Sequence, residues 1–105
     1  MTAAEFRRIA LGFPETAEHS HMGHPDFRVG GKIFATLGYP DADHGMVILP
    51  PDQQEEFVRG FAGAFAPAKG AWGKGGSTIV RLEAVNAETL HRAIELAWQR
   101  KAPKR

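Results

Sequence analysis

The spacing of apolar residues along the chain predicts three amphipathic helices. The first begins with Thr2 and Glu5, which have the spacing of a capping box, and it ends near Gly12. The second begins at Pro51, and Asn86 is a suitable N-cap for the third. Their apolar faces are formed by Phe6, Ile9 and Ala10, by Phe57, Val58 and Phe61, and by Leu90, Ile94, Ala97 and Trp98.

The residues between the first two helices have the pattern of β-strands. Gly30 and Gly31 separate two runs of β-formers and predict a two-residue hairpin turn, because such turns need positive φ angles. Further strands are predicted at 46–49 and 77–83, and the glycine-rich stretch 64–76 is predicted to be a loop. In the predicted hairpin Phe27 pairs with Phe34, and these two residues share one face with Val29. The other face carries Arg28, Ile33 and Ala35.

This order of elements predicts an α+β fold. The elements follow one another as α-β-β-β-β-α-β-α, which favours an antiparallel sheet with helices packed on one face. With 105 residues, 43% of them hydrophobic, the chain is long enough for one domain over residues 1–105. Such an arrangement leaves the other face of the sheet open to a partner.

Charge is distributed unevenly along a chain whose net charge is only +1. Residues 41–56 contain five carboxylates and no lysine or arginine, whereas residues 69–81 contain three cations and no carboxylate. A near-neutral protein can therefore present one basic side to an anionic partner. The last residues form a basic tail with Arg100, Lys101, Lys104 and Arg105.

Several classes of protein are excluded by composition. The absence of cysteine excludes disulfides and thiolate metal sites. No window approaches the roughly 18 consecutive apolar residues of a membrane-spanning helix, and the N-terminus is too charged for a secretory signal. We expect a cytoplasmic protein that is not inserted in a membrane and that is a monomer.

Three histidines could form a metal site. His19 and His21 would point to the same side of a strand, and His24 or Asp26 could supply a third ligand. Histidines on a surface strand are more often solvated, and metal-bound histidines need carboxylates that orient them. We predict no metal and no cofactor, and a histidine metal site is kept as an alternative.

The glycine-rich stretch does not match a nucleotide-binding loop. Lys74 precedes the last glycines instead of following them, and the stretch leads into a strand, so no helix N-terminus is available for a phosphate. It is better described as a flexible basic wing carrying Trp72 and Lys74, and the hairpin tip between Arg28 and Lys32 is a second candidate wing. With two serines and no nucleophile elbow, the chain is predicted not to be an enzyme.

Several motifs in this order resemble the MmcQ/YjbR-like family. They are FPE at 13–15, GHPDFRVGGKIFA at 23–35, WGKGGS at 72–77, VRL at 80–82 and AW at 97–98. The resemblance implies an α+β fold like that of the frataxin and CyaY group, and DNA binding through a double wing of β-hairpins. It also implies that Arg28, Lys32 and Lys74 lie on or near the wings. The iron binding of frataxin-like folds is not carried over, because the acidic stretch here precedes the second helix instead of forming an acidic first helix.

We therefore predict a small DNA-binding protein whose glycine-rich wings contact phosphates with little sequence specificity. Trp72 would stack on a base or act as a wedge. One alternative is a protein-binding or small-ligand-binding module that uses the open face of the sheet and a pocket lined by Phe27, Trp72 and the histidines. The other is a metal-dependent function of the histidines. The predicted DNA-binding residues are Arg28, Lys32, Lys69, Trp72, Lys74 and Arg81.

Overall fold

The computed structural model describes residues 1–103 and contains one six-stranded antiparallel sheet with four helices. The helices are α1 (Ala3–Leu11), α2 (Pro51–Gly60), α3 (Gly70–Lys74) and α4 (Ala87–Lys101). The strands are β1 (Thr16–His21), β2 (His24–Val29), β3 (Lys32–Leu37), β4 (His44–Ile48), β5 (Phe65–Pro67) and β6 (Ser77–Arg81). Their order in the sheet is β1-β2-β3-β4-β6-β5, which confirms the predicted α+β class.

The predicted helix starts are confirmed. In α1, Oγ1 of Thr2 accepts from the backbone N–H of Glu5 at 3.1 Å, and Oε1 of Glu5 accepts from the backbone N–H of Thr2 at 3.0 Å. In α4, Oδ1 of Asn86 accepts from the backbone N–H of Thr89 at 2.8 Å. Pro51 occupies the first turn of α2, where its missing N–H costs nothing.

The core lies between the helices and one face of the sheet. Helix α4 packs on β3 and β4, and α1 packs on α4 and β1. The predicted apolar stripe of α4 is confirmed, because Leu90, Ile94 and Ala97 are fully buried. Phe6 of α1 packs over Gly45 so closely that a Cβ atom on that glycine would lie 2.8 Å from the ring. The opposite face of the sheet, which carries Arg28 and Ile33 from the β2–β3 pair and Met46 from β4, is called the open face below.

The β2–β3 hairpin has its predicted turn but not its predicted register throughout. Gly30 and Gly31 have φ angles of 58° and 78°, as a two-residue turn requires. Val29 pairs with Lys32 as predicted, whereas Phe27 pairs with Ala35 and not with Phe34. A bulge between these pairs lets both Phe34 and Ala35 enter the core, so the prediction that Ala35 lies on the other face is wrong.

The stretch 64–76 is not the flexible loop that its glycines suggest. It contains β5, which pairs with β6, and the short helix α3. The buried side chain of Gln54 anchors this segment, because its Nε2 donates to the carbonyl of Gly73 at 3.0 Å and to that of Ser77 at 3.1 Å. The second predicted wing is therefore two antiparallel strands joined by a helical turn.

No helix within residues 1–103 combines the length and the apolar character needed to cross a lipid bilayer.

Candidate nucleic-acid interface and open-face pocket

Antiparallel pairing brings several chain segments to one end of the sheet. Val29 at the end of β2 pairs with Lys32 at the start of β3, and Ile48 at the end of β4 pairs with Ser77 at the start of β6. The segment from the end of β5 to α3 lies at the same end, because Pro67 pairs with Thr78. We call this the basic end. Its cations are Arg28, Lys32, Lys69, Lys74, Arg100 and Lys101.

The last turn of α4 closes the basic end. Nη1 of Arg100 donates to the carbonyl of Leu49 at 2.5 Å and to that of Gly75 at 2.7 Å, so it ties the helix to the segment that follows Lys74. Partial burial lowers the pKa of Lys101, and the neighbouring charges of Arg100 and Lys32 lower it further. The end of α4 is therefore bonded to the second predicted wing, and Pro103 just after it lies against the first, 2.8 Å from where a Cβ atom on Gly30 would be.

Four of the five predicted cations lie at the basic end. Lys32, Lys69 and Lys74 are exposed, and none of them has a carboxylate partner within residues 1–103. Arg28 is also there, but Asp26 balances its charge. Arg81 does not join them: it ends β6 at the opposite end of the sheet and donates to Glu83 at 2.6 Å.

The opposite end of the sheet is acidic. Asp41 and Asp43 lie in the β3–β4 connection and Glu83 follows β6. Nδ1 of His44 lies 2.7 Å from Oδ1 of Asp41, and this hydrogen bond, with a second from the backbone N–H of Asp43, lowers the pKa of Asp41. Within residues 1–103 the charges are therefore largely separated along the strand direction. Exceptions include Glu15 before β1 and Asp52 in α2, which lie toward the basic end, and Arg81 at the acidic end.

A buried carboxylate organises part of the open face. The side chain of Asp26 is fully buried, and its Oδ1 accepts from Nε of Arg28 at 2.8 Å. Its Oδ2 accepts from Nη2 of Arg28 at 3.2 Å and lies 2.7 Å from Nδ1 of His21. The hydrogen bond from Arg28, and then that from His21, hold the pKa of Asp26 below its ordinary value. The same pairing raises the pKa of Arg28.

A pocket of about 640 Å³ opens on the same face. Trp72, Tyr39 and Met22 line it and remain 68%, 42% and 92% exposed. The sequence places Phe27 in such a pocket, which is wrong, because Phe27 is fully buried in the core on the other side of the sheet. The lining residues are His21, Met22, His24, Ile33, Thr36, Tyr39, Met46, Ile48, Trp72 and Ser77.

The histidines do not assemble into a metal-binding group. His21 is the strand partner of His24, and His19 is the partner of Asp26. Nδ1 of His21 is already bonded to Asp26. Within the described part of the chain, no three histidine or carboxylate side chains are arranged to share an ion.

Comparison with known proteins relates this chain to a protein family and to a solved structure. A family model described as YjbR matches residues 11–100. The chain belongs to the YjbR family. The resemblance seen in the motifs is thereby confirmed, and this YjbR-family chain is also similar in structure to the Deinococcus radiodurans protein DR2400, whose crystal structure contains a domain described as DUF419. The TM-score is 0.78 at 19% sequence identity, over 92% of this chain and 75% of that one, so the likeness concerns the fold. No curated protein matches this YjbR-family chain significantly.

Some residues of both sites are absent from the sequence-based prediction. Arg100 and Lys101 appear there only as part of a basic tail, whose remaining members, Lys104 and Arg105, lie outside the described residues. The hydrogen bond of Arg100 to Gly75 and the close approach of Pro103 to Gly30 are long-range contacts that no local pattern contains. Tyr39 stands in a polar turn, where its sequence neighbours give no sign of a pocket.

Proposed function

We propose that this YjbR-family protein binds DNA through its basic end, with the cations contacting backbone phosphates. The observation that carries the proposal is the convergence of unpaired cations from separate parts of the chain. Lys32, Lys69 and Lys74 lie at the same end of the sheet as the last turn of α4, and none of them has a carboxylate partner in residues 1–103. Positive charges grouped in this way release the counterions of a nucleic acid on binding.

The individual side chains would contribute unequally. Lysine acts as a point charge toward phosphate, so Lys32 and Lys74 at the two predicted wings are expected to contribute most. Arg28 contributes less, because it is held by Asp26. Trp72 is exposed two residues before Lys74 and is available to stack on a base. Arg81, at the opposite end, is left out of the proposed interface.

The nature of these contacts favours weak sequence specificity. Lysine contacts with phosphates fix position without identifying bases. The acidic end of the sheet also supports the proposal. DNA would repel its carboxylates, and this repulsion would favour the orientation in which the basic end faces the DNA. The proposed function is non-enzymatic and uses neither cofactor nor metal ion. The cytoplasmic location and the monomeric state stay predictions.

The affinity of a fluorescein-labelled DNA duplex, measured by fluorescence anisotropy, tests the proposal. We expect affinity to fall steeply between about 50 and 200 mM KCl. In the Lys32→Ala/Lys74→Ala double variant, affinity should fall at low salt. The slope of log K against log salt should become shallower by about 2, since each lost phosphate contact removes about 1.

A matched control removes the same charge elsewhere. Arg59 and Arg81 each pair with a glutamate away from the basic end, so the Arg59→Ala/Arg81→Ala variant has the same net charge as the test variant. It should keep nearly all of the wild-type affinity and slope. Equal losses of DNA affinity in the two variants would show that only the net charge of the protein matters. An unchanged salt slope in the Lys32→Ala/Lys74→Ala variant would remove both lysines from the proposed interface.

A further inference from the structure

The pocket on the open face collects apolar side chains at a surface exposed to water. Ile33, Met46 and Ile48 from β3 and β4 line it, and Trp72 and Tyr39 are exposed beside them. Of the five large hydrophobic residues exposed within residues 1–103, three line this pocket. Apolar side chains grouped on the surface of a folded protein often mark a binding site.

One polar group of the pocket, the imidazole of His21, has a fixed hydrogen-bond partner. Nδ1 of His21 faces a buried, ionised carboxylate, which can only accept, so this nitrogen carries the proton. In the neutral ring, Nε2 is then an acceptor, and no group of residues 1–103 donates to it. Arg28 fixes Asp26 from the other side, so the orientation of the His21 ring is determined before any ligand arrives.

The size of the pocket suits a small molecule better than a protein. Its volume of about 640 Å³ lies within the range of about 300–1,000 Å³ that is usual for ligand pockets. Ten residues line it, whereas a stable protein interface uses about 20–30 residues on each side. The indole of Trp72 and the thioether of Met46 both interact favourably with flat aromatic rings.

We propose that this pocket binds a small, flat aromatic molecule that carries an O–H or N–H donor, and that Nε2 of His21 accepts from this donor. The apolar walls hold the ring, and the hydrogen bond to His21 selects molecules with a donor over molecules without one. The pocket shares Trp72 with the proposed DNA interface but contains none of its cations, so binding of the small molecule does not require DNA binding.

A pair of probes isolates the hydrogen bond. 2-Naphthol and 2-methoxynaphthalene share a ring system, but only the first has an O–H donor. Calorimetric titration of the wild-type protein at pH 7.5 should show saturable binding of both, with 2-naphthol tighter by about threefold to tenfold, which is the effect of one net hydrogen bond.

Variants then locate the contact. In His21→Leu, the preference for 2-naphthol should disappear while binding of 2-methoxynaphthalene persists. Trp72→Ala changes an exposed side chain and should weaken both probes. Leu11→Ala, at an exposed apolar residue outside the pocket, should change neither. The Lys32→Ala/Lys74→Ala variant should bind both probes normally even if the DNA proposal fails.

Two results would overturn the proposal. One is the absence of saturable binding of either probe to the wild-type protein. The other is a preference for 2-naphthol that survives in His21→Leu, because the donor would then be recognised elsewhere. Should His21→Leu fail to fold, equal affinity of Trp72→Ala and wild type for both probes would equally contradict the site.

Discussion

Asp26 is a charged residue in a fully buried position, and its two partners explain how the fold tolerates it. A carboxylate removed from water is costly unless hydrogen bonds and an opposite charge compensate for it. Arg28 supplies the charge and two hydrogen bonds, and His21 supplies a third. The same arrangement that stabilises Asp26 also orients His21 toward the pocket, so a structural requirement and a possible recognition element share one carboxylate.

Substitution of Arg28→Met should therefore lower stability in a pH-dependent way. The folded-state pKa of Asp26 is depressed, so the pairing contributes stability above the unfolded pKa of about 3.9 and loses it as pH falls through the folded-state value. Urea denaturation should show a lower midpoint for the variant at pH 7. The difference from wild type should begin to shrink below about pH 4, where the carboxyl group is protonated in the unfolded chain, and should disappear at the lower pH where Asp26 is protonated in the folded protein as well.

Arg59→Met serves as the control for this residue-scale prediction. Its partner is Glu55, and both side chains are more than 70% exposed, so the pair should contribute nothing measurable. A difference between Arg28→Met and wild type that stays constant from pH 7 to below pH 4 would indicate lost packing instead of a lost partner for Asp26.

At the scale of elements, α3 is a packed part of the molecule. A Cβ atom on Gly73 would lie 1.8 Å from the carbonyl oxygen of Ala68, which is closer than any side chain permits. Gly73→Ala should therefore destabilise the protein by about 2 kcal/mol in urea denaturation, as overpacking of a rigid site does. If α3 were instead a mobile loop, the backbone could shift to make room for the Cβ atom, and Gly73→Ala would leave the free energy of unfolding nearly unchanged.

Gly60 provides the comparison for Gly73→Ala. It ends α2, and nothing lies within 4 Å of the position of its missing Cβ atom. Gly60→Ala should be neutral or should stabilise by up to about 0.5 kcal/mol, because alanine restricts the unfolded chain more than glycine does. If Gly60→Ala lost as much stability as Gly73→Ala, the close approach of Gly73 to Ala68 would not explain the destabilisation by Gly73→Ala.

Elements with their own local signals could be predicted from the sequence, and elements that depend on distant contacts could not. The capping box at Thr2 and the cap at Asn86 are local, and both helices begin where these residues predict. Helix α3 is rich in glycine, and it is held in position by the hydrogen bond from Gln54 to the carbonyl of Gly73, 19 residues away in the sequence. The bulge in the β2–β3 pair leaves no mark on the alternation of residue types, so this alternation predicts the wrong face for Ala35.

The candidate interface was predictable only in part, for the same reason. Lys32, Lys69 and Lys74 stand out because they flank glycine-rich segments. Arg81 has the same local character, but the direction of β6 carries it to the other end of the sheet. Arg100 is held at the basic end by its hydrogen bonds to Leu49 and Gly75, which become neighbours only when the sheet forms.

At the scale of the whole molecule, the main feature is the separation of charge along the strands. A net charge of +1 conceals a basic end built around α4 and an acidic end with Asp41, Asp43 and Glu83. Such a separation orients a protein in the field of a polyanion, although the total charge would predict little attraction. The open-face pocket adjoins the basic end, and the two proposed sites share Trp72.

Mapping the contact surface by nuclear magnetic resonance tests the central claim most directly. Backbone amide shifts would be recorded during titration of the protein with a short DNA duplex at low salt. The account predicts that the largest changes fall at 28–32, 69–77 and 100–103, with little change at Asp41, Asp43 and Glu83. Changes concentrated at the acidic end, or at the pocket residues His21, Tyr39 and Met46 with 28–32, 69–77 and 100–103 unaffected, would contradict it.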